Sequence, residues 1–175
     1  TTGNVESWDG TSWTEVANVN TAKYYLACAG ESNTSLIKFG GIPNAATTED
    51  WNGSSWTEVA DLSTARGQLA GNGTASLALA YGGSTPSVTA VTEEWTKNAP
   101  VGAWSTAANL NTAKAASAAA GDATAGLVFG GYTATAKTAT TEQFDGSSWT
   151  EVNDLNNARE MLAGCGTSTA ALAFG

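Results

Sequence analysis

The sequence predicts an all-β fold built from repeated four-stranded antiparallel sheets, and three observations carry that prediction. One phrase recurs four times in the order Thr-Glu-x-Trp, Asp/Asn-Gly, Ser-Trp-Thr-Glu-Val, Thr-Ala-Arg/Lys, Leu-Ala, apolar run, Gly-Gly; it is plainest over residues 48–83 and returns from Val5, Thr92 and Thr141. The aromatics that open it, Trp8, Trp51, Trp95 and Phe144, stand 43, 44 and 49 residues apart. That period is too long for leucine-rich or ankyrin repeats and fits a four-stranded propeller blade. Each unit also holds four short strand-like stretches divided by turn chemistry, which is how an up-and-down antiparallel sheet reads.

The first two stretches of a unit form a hairpin. Trp8-Asp9-Gly10, Trp51-Asn52-Gly53 and Phe144-Asp145-Gly146 each place an Asx-Gly turn ahead of a second tryptophan, Trp13, Trp56 or Trp149. Asx-Gly supplies the positive φ that tight hairpins require. A polar bend follows at residues 18–21, 61–64, 109–112 and 154–157. The third stretch is made of small residues, as at 26–29 and 69–71, and suits the innermost strand of a propeller, where blades converge and room is short. The fourth is an apolar run such as 77–81 or 127–129, stopped by Gly82-Gly83 or Gly130-Gly131. Trp13, Trp56, Trp104 and Trp149 share one repeat position, which predicts that each fills the space between neighbouring blades, the main apolar contribution open to so alanine-rich a chain.

The diglycine, the Trp-Thr-Glu-Val stretch and the basic residue that opens the next stretch together resemble a kelch repeat. The wording Asp-Gly-Ser-Ser-Trp-Thr, with Thr-Ala-Arg/Lys and Ala-Leu-Ala-Phe-Gly, is similar to the kelch-like propeller arrays of phage tail and other virion structural proteins, and the likeness covers nearly the whole chain. The resemblance implies that Thr-Glu-x-Trp and Trp-Thr-Glu-Val are the third and fourth strands of one blade and the two stretches after them the first and second strands of the next. In that phase residues 5–16 and 160–174 are two half-blades, expected to unite and close a four-bladed ring, since closure removes exposed strand edges. Two chains joining their halves into an eight-bladed ring, or a place in a longer array, are the alternatives. The expected organisation is one domain over residues 1–175, with units at about 1–41, 42–83, 84–131 and 132–175.

At 175 residues the chain can bury one core, whereas an isolated unit of about 44 residues is too small to fold alone. The formal charge of −9, from 16 acids and 7 bases, argues against nucleic acid as a partner. No apolar run has the length of a membrane-spanning helix, so no membrane insertion is expected. The sequence begins without Met and reads as an excerpt or a processed product. Cys28 and Cys165 read as small buried residues and not as a disulfide.

The chain has no histidine, which removes Ser-His-Asp and Cys-His catalysis and most zinc and copper sites. Glu93 and Glu94 are adjacent, so on a strand they face opposite ways and cannot act as a facing carboxylate pair. A non-enzymatic protein without cofactor or metal is expected.

Two patterns nominate sites. Four of the seven basic residues, Lys23, Arg66, Lys114 and Arg159, share one repeat position, while Glu6, Glu49, Glu93 and Glu142 share another. One acid and one base per unit predicts a structural ring of partly buried ion pairs. The loops joining second to third strands differ in length and wording, at 42–47, 84–91 and 132–140, and structural repeats present recognition in such loops; Asn44, Thr85, Ser87, Tyr132 and Thr135 are the candidate binding residues. On the opposite face, an enlarged hairpin in the third unit is expected to protrude at residues 97–100. The expected role is a binding or structural module on a virion appendage, contacting a host-surface glycan or protein or a neighbouring virion protein. The rival is a secreted, lectin-like carbohydrate-binding propeller.

Overall fold

A computed structural model describes residues 2–97 and 102–175, and every regular element among them is a strand. Residues 98–100 of the expected protruding hairpin lie outside the described residues. Five antiparallel sheets follow one another along the chain. The first has two strands, β1 (Val5–Trp8) and β2 (Trp13–Val16). Three four-stranded sheets come next: β3 (Ala27–Ser32), β4 (Ser35–Phe39), β5 (Thr48–Trp51), β6 (Trp56–Val59); then β7 (Ala70–Gly73), β8 (Leu77–Tyr81), β9 (Thr92–Thr96), β10 (Ala103–Thr106); then β11 (Ala118–Gly121), β12 (Gly126–Phe129), β13 (Thr141–Phe144), β14 (Trp149–Val152). The last is again a pair, β15 (Ala163–Thr167) and β16 (Ala170–Phe174). Each complete sheet straddles two sequence units in the phase that the repeat wording implies.

Local chemistry explains the hairpins. Asp9, Asn52 and Asp145 each accept two backbone N–H bonds through Oδ1, from Thr11 and Ser12, Ser54 and Ser55, and Ser147 and Ser148. The glycine after each has φ between 93° and 99°. This is the Asx turn with a left-handed second residue, and it fixes register: Trp51 faces Trp56 and Phe144 faces Trp149 across their strands.

The small-residue strands β3, β7, β11 and β15 line one cavity of about 260 Å³, with Cys28, Gly30, Asn72, Gly121 and Cys165 on its wall. They can crowd there because their side chains are so short. A Cβ on Gly71 would stand 2.5 Å from the Phe39 ring. Asn72 ties neighbours together by donating from Nδ2 to the carbonyls of Ala120 and Asp122 at 3.1 and 3.0 Å.

The core lies between successive sheets and is aromatic against alanine and leucine. Trp104 of β10 meets Phe39 of β4 edge-on at 5.0 Å, and Trp149 of β14 meets Tyr81 of β8 at 5.1 Å. At these two positions the repeated tryptophan fills the inter-sheet space as its periodicity suggests. Trp13 does not: among the described residues nothing covers it, and it is 65% exposed.

Two expectations need correction. The terminal halves do not unite within the chain, because β1 pairs with β2 alone and β16 with β15 alone, leaving two separate half-sheets. Each therefore keeps an unpaired edge and an uncovered apolar face. The two cysteines are free but exposed, since strands this small leave the axial cavity open beside them.

Candidate functional site

The acid and base positions form the joints of the array. Arg66 Nη1 stands 2.6 Å from Glu93 Oε1 and Lys114 Nζ 3.1 Å from Glu142 Oε1, with every side chain at most 1% exposed. In each case the base of one unit holds the acid of the next. Bend amides complete the carboxylate's shell: Ser63 N–H donates to Glu93 at 2.7 Å, and Asn111 and Thr112 donate to Glu142 at 2.6 and 3.2 Å. A buried ion pair persists when its remaining lone pairs are satisfied in this way. Burial pulls the pKa of Arg66 and of Lys114 below its ordinary value, with Glu93 and Glu142 opposing that pull.

The first joint departs from the expected ring. Glu49 takes the bend amides of Asn20 and Thr21, but its cation is Lys38 at 2.7 Å, not Lys23. Lys38 lies on β4 directly opposite Glu49, where other units carry Ala80 or Val128, so its ammonium reaches the carboxylate first. The Lys23 stem packs instead on Gly41. Glu6 and Arg159, at the two ends, make no ion pair among the described residues.

The variable loops emerge together on the face expected of them. Bridges pair Gly67 with Ser84 and Ala115 with Tyr132, continuing the β7–β8 and β11–β12 pairings and tying the start of each sheet to its own second-to-third turn. Two residues beyond each repeated base lies a non-glycine residue in the left-handed region: Tyr25, Gln68, Ala116 and Met161, with φ from 53° to 56°. These four are laced by main-chain bonds, Gln68 N–H to Tyr25 O, Ala116 N–H to Gln68 O and Met161 N–H to Ala116 O, each 2.8 or 2.9 Å. Left-handed backbone is costly for residues with a Cβ, and its recurrence marks a position held by the surrounding architecture.

Two openings meet at this lacing. One, of about 260 Å³, lies over the axis among Tyr25, Gln68, Ala116 and Met161. The other, about 390 Å³, runs outward between the turns and is lined by Gln68, Ser84, Ser87, Tyr132 and Glu160 among others. Of the candidate binding residues, Ser87 and Tyr132 line this second opening. Thr85 sits in the same turn and donates its N–H to Ser87 O at 2.9 Å, but does not line the cleft. Thr135 is exposed one residue past the cleft-lining Ala134, and Asn44 is exposed on a turn outside it. Tyr25, Gln68, Ala116 and Met161 are the residues that the sequence reading misses. Their signal is variation inside a constant frame, since Tyr, Gln, Ala and Met follow Lys/Arg at one fixed offset.

No cluster of three or more metal-ligating side chains occurs among the described residues. No protein-family model matches the sequence, and no curated protein matches it. Solved structures do resemble the fold. One described as "Structure of YjhT" superposes with a TM-score of 0.77 at 11% identity, over 93% of this chain and 63% of that one. The chain therefore spans less than two thirds of the length of that protein, and at such identity the likeness establishes an all-β, propeller-like fold and nothing about activity.

Proposed function

We propose that the chain is a kelch-like propeller module with a non-enzymatic binding or structural role, most consistent with a virion appendage such as a tail or fibre that contacts a host-surface glycan or protein or a neighbouring virion protein. The observation that carries this reading is the convergence of two of the three variable turns, 84–91 and 132–140, on one cleft beside the laced left-handed residues. The cleft's volume of about 390 Å³ falls within the range of small-ligand sites, and its wall offers hydroxyls, an amide and one tyrosine ring. A constant frame presenting a variable mouth is the arrangement of a recognition scaffold. The acidic, weakly charged composition supports neither nucleic acid nor membrane as partner.

A secreted lectin-like propeller is the second reading, and exposed rings favour it: Tyr24, Tyr25 and Tyr132 stand 47%, 51% and 37% exposed, Tyr25 and Tyr132 at the two openings. Amphipathic tyrosine rings with hydroxyls beside them suit sugars. Binding of the chain to glycan and host-envelope arrays, repeated with Tyr132→Ala and Ser87→Ala, tests both readings. Either role predicts a hit weakened at least about tenfold by the substitutions, with an unchanged melting temperature, a loss of about 1.4 kcal/mol. A hit that ignores both substitutions would remove the cleft from the account. A hit confined to one sugar family would favour the lectin.

A further inference from the structure

The two half-sheets are complementary in every feature that joins the complete ones. Inside the chain a junction has four parts: antiparallel pairing of a second strand with a third strand, burial of that pair, a tryptophan on the preceding sheet, and an acid held by the base of the preceding unit. At β8–β9, for example, Ala80 faces Glu93 and Ala78 faces Trp95. Leu79, Tyr81 and Trp95 are each at most 1% exposed. At the C-terminal end the corresponding Leu172 and Phe174 are 69% and 52% exposed, and at the N-terminal end Trp8 is 45% exposed. Each end lacks what the other has.

A vacant seat for the tryptophan is present as well. Trp104 packs on Phe39, Leu62, Ala78 and Ala80 and donates its indole N–H to Thr48 Oγ1 at 3.1 Å. The residues at the same positions one sheet-pair later, Phe129, Leu155, Ala171, Ala173 and Thr141, line a groove of about 160 Å³ instead. The tryptophan that belongs there by repeat position is Trp13, the most exposed tryptophan of the described residues. Charge agrees: among the described residues neither Arg159 nor Glu6 makes an ion pair, and the Arg159 Nε is buried without a hydrogen-bond partner.

We propose that the edge of β16 is a docking surface for β1–β2 of a second copy of this chain. The repeat register sets Glu6 of the second copy opposite Ala173 and Trp8 opposite Ala171, seats Trp13 on Phe129, and closes the Arg159–Glu6 pair with the Asn156 and Asn157 amides completing the carboxylate's shell. Two copies joined at both ends are the smallest such assembly in which every half-sheet is completed to four strands, with three complete sheets and one shared sheet per copy. That ring would hold eight sheets, within the known range of propellers.

Light scattering on the chain tests this, with Arg159→Glu, Glu6→Arg and the double swap. The expected mass is twice 17.7 kDa, or a higher multiple if the junction propagates without closing. Each single substitution should weaken association about a hundredfold and the double swap should restore it. Trp13→Ala should dissociate the assembly without unfolding the complete sheets. A wild-type chain that stays at 17.7 kDa at all concentrations overturns the proposal, as does an assembly indifferent to all of these substitutions.

Discussion

At the scale of single residues, the cost of a charge depends on where it sits. Arg66 is fully buried against Glu93, whereas Lys97 is 43% exposed in its ion pair with Asp50 at 2.7 Å. Arg66→Ala is therefore expected to lose about 3 to 5 kcal/mol by stranding a buried carboxylate, and Lys97→Ala about 0 to 1 kcal/mol. Chemical denaturation of the two variants checks the order, and equal losses would refute it. Asp145 supplies a pH signature. The backbone N–H of Ser148, with the side-chain and backbone groups of Ser147, lowers its pKa from 3.8 to about 2. A carboxyl whose folded pKa lies below its unfolded value contributes stability that is complete above pH 3.8 and fades as pH falls towards 2. Asp145→Asn should keep the turn, as Asn52 does at the same repeat position, and flatten that part of the acid denaturation curve. An acid limb unchanged between pH 4 and 2 would assign the sensitivity elsewhere. Repetition made Glu49, Glu93, Glu142, Arg66 and Lys114 legible in the sequence. Lys38 was hidden, because its role comes from the register of β4 on β5 in one unit alone.

At the scale of elements, one residue type at one repeat position meets different neighbours, and stability should follow the neighbours. Trp104 is 9% exposed and sandwiched against Phe39, while Trp13 is 65% exposed. Measured where the chain is monomeric, Trp104→Ala should cost about 3 to 5 kcal/mol and Trp13→Ala no more than about 0.5. Comparable losses would mean that Trp13 is covered within its own chain. The inner strands fail in the opposite direction, by excess volume. A Cβ at Gly71 would fall 2.5 Å from Phe39 and 2.9 Å from the Leu79 carbonyl, so Gly71→Ala should destabilise by about 1 to 3 kcal/mol, read from the urea midpoint. An unshifted midpoint would mean that the sheets can separate at this strand. Strand order, hairpin turns and the small-residue inner strands were readable because each is written in local chemistry. The left-handed lacing of Tyr25, Gln68, Ala116 and Met161 was not, since it arises only when neighbouring sheets exchange main-chain bonds.

At the scale of the whole molecule, repetition predicts the sheets but not how the array ends. The half-sheet phase was visible in the wording of the termini, yet whether the halves meet depends on the curvature accumulated over four sheet-to-sheet contacts, which no local motif encodes. In the structure they remain apart, and a row of apolar and charged groups stays uncovered at each end. Amide hydrogen exchange resolved along the chain tests this central claim most directly. In dilute protein the amides of β1 and β16 should exchange much faster than those of β8 and β12, and their protection should rise with concentration while that of β8 and β12 stays constant. Protection of β1 and β16 equal to that of β8 at every concentration would contradict the account, because it would show that the two half-sheets close within one chain.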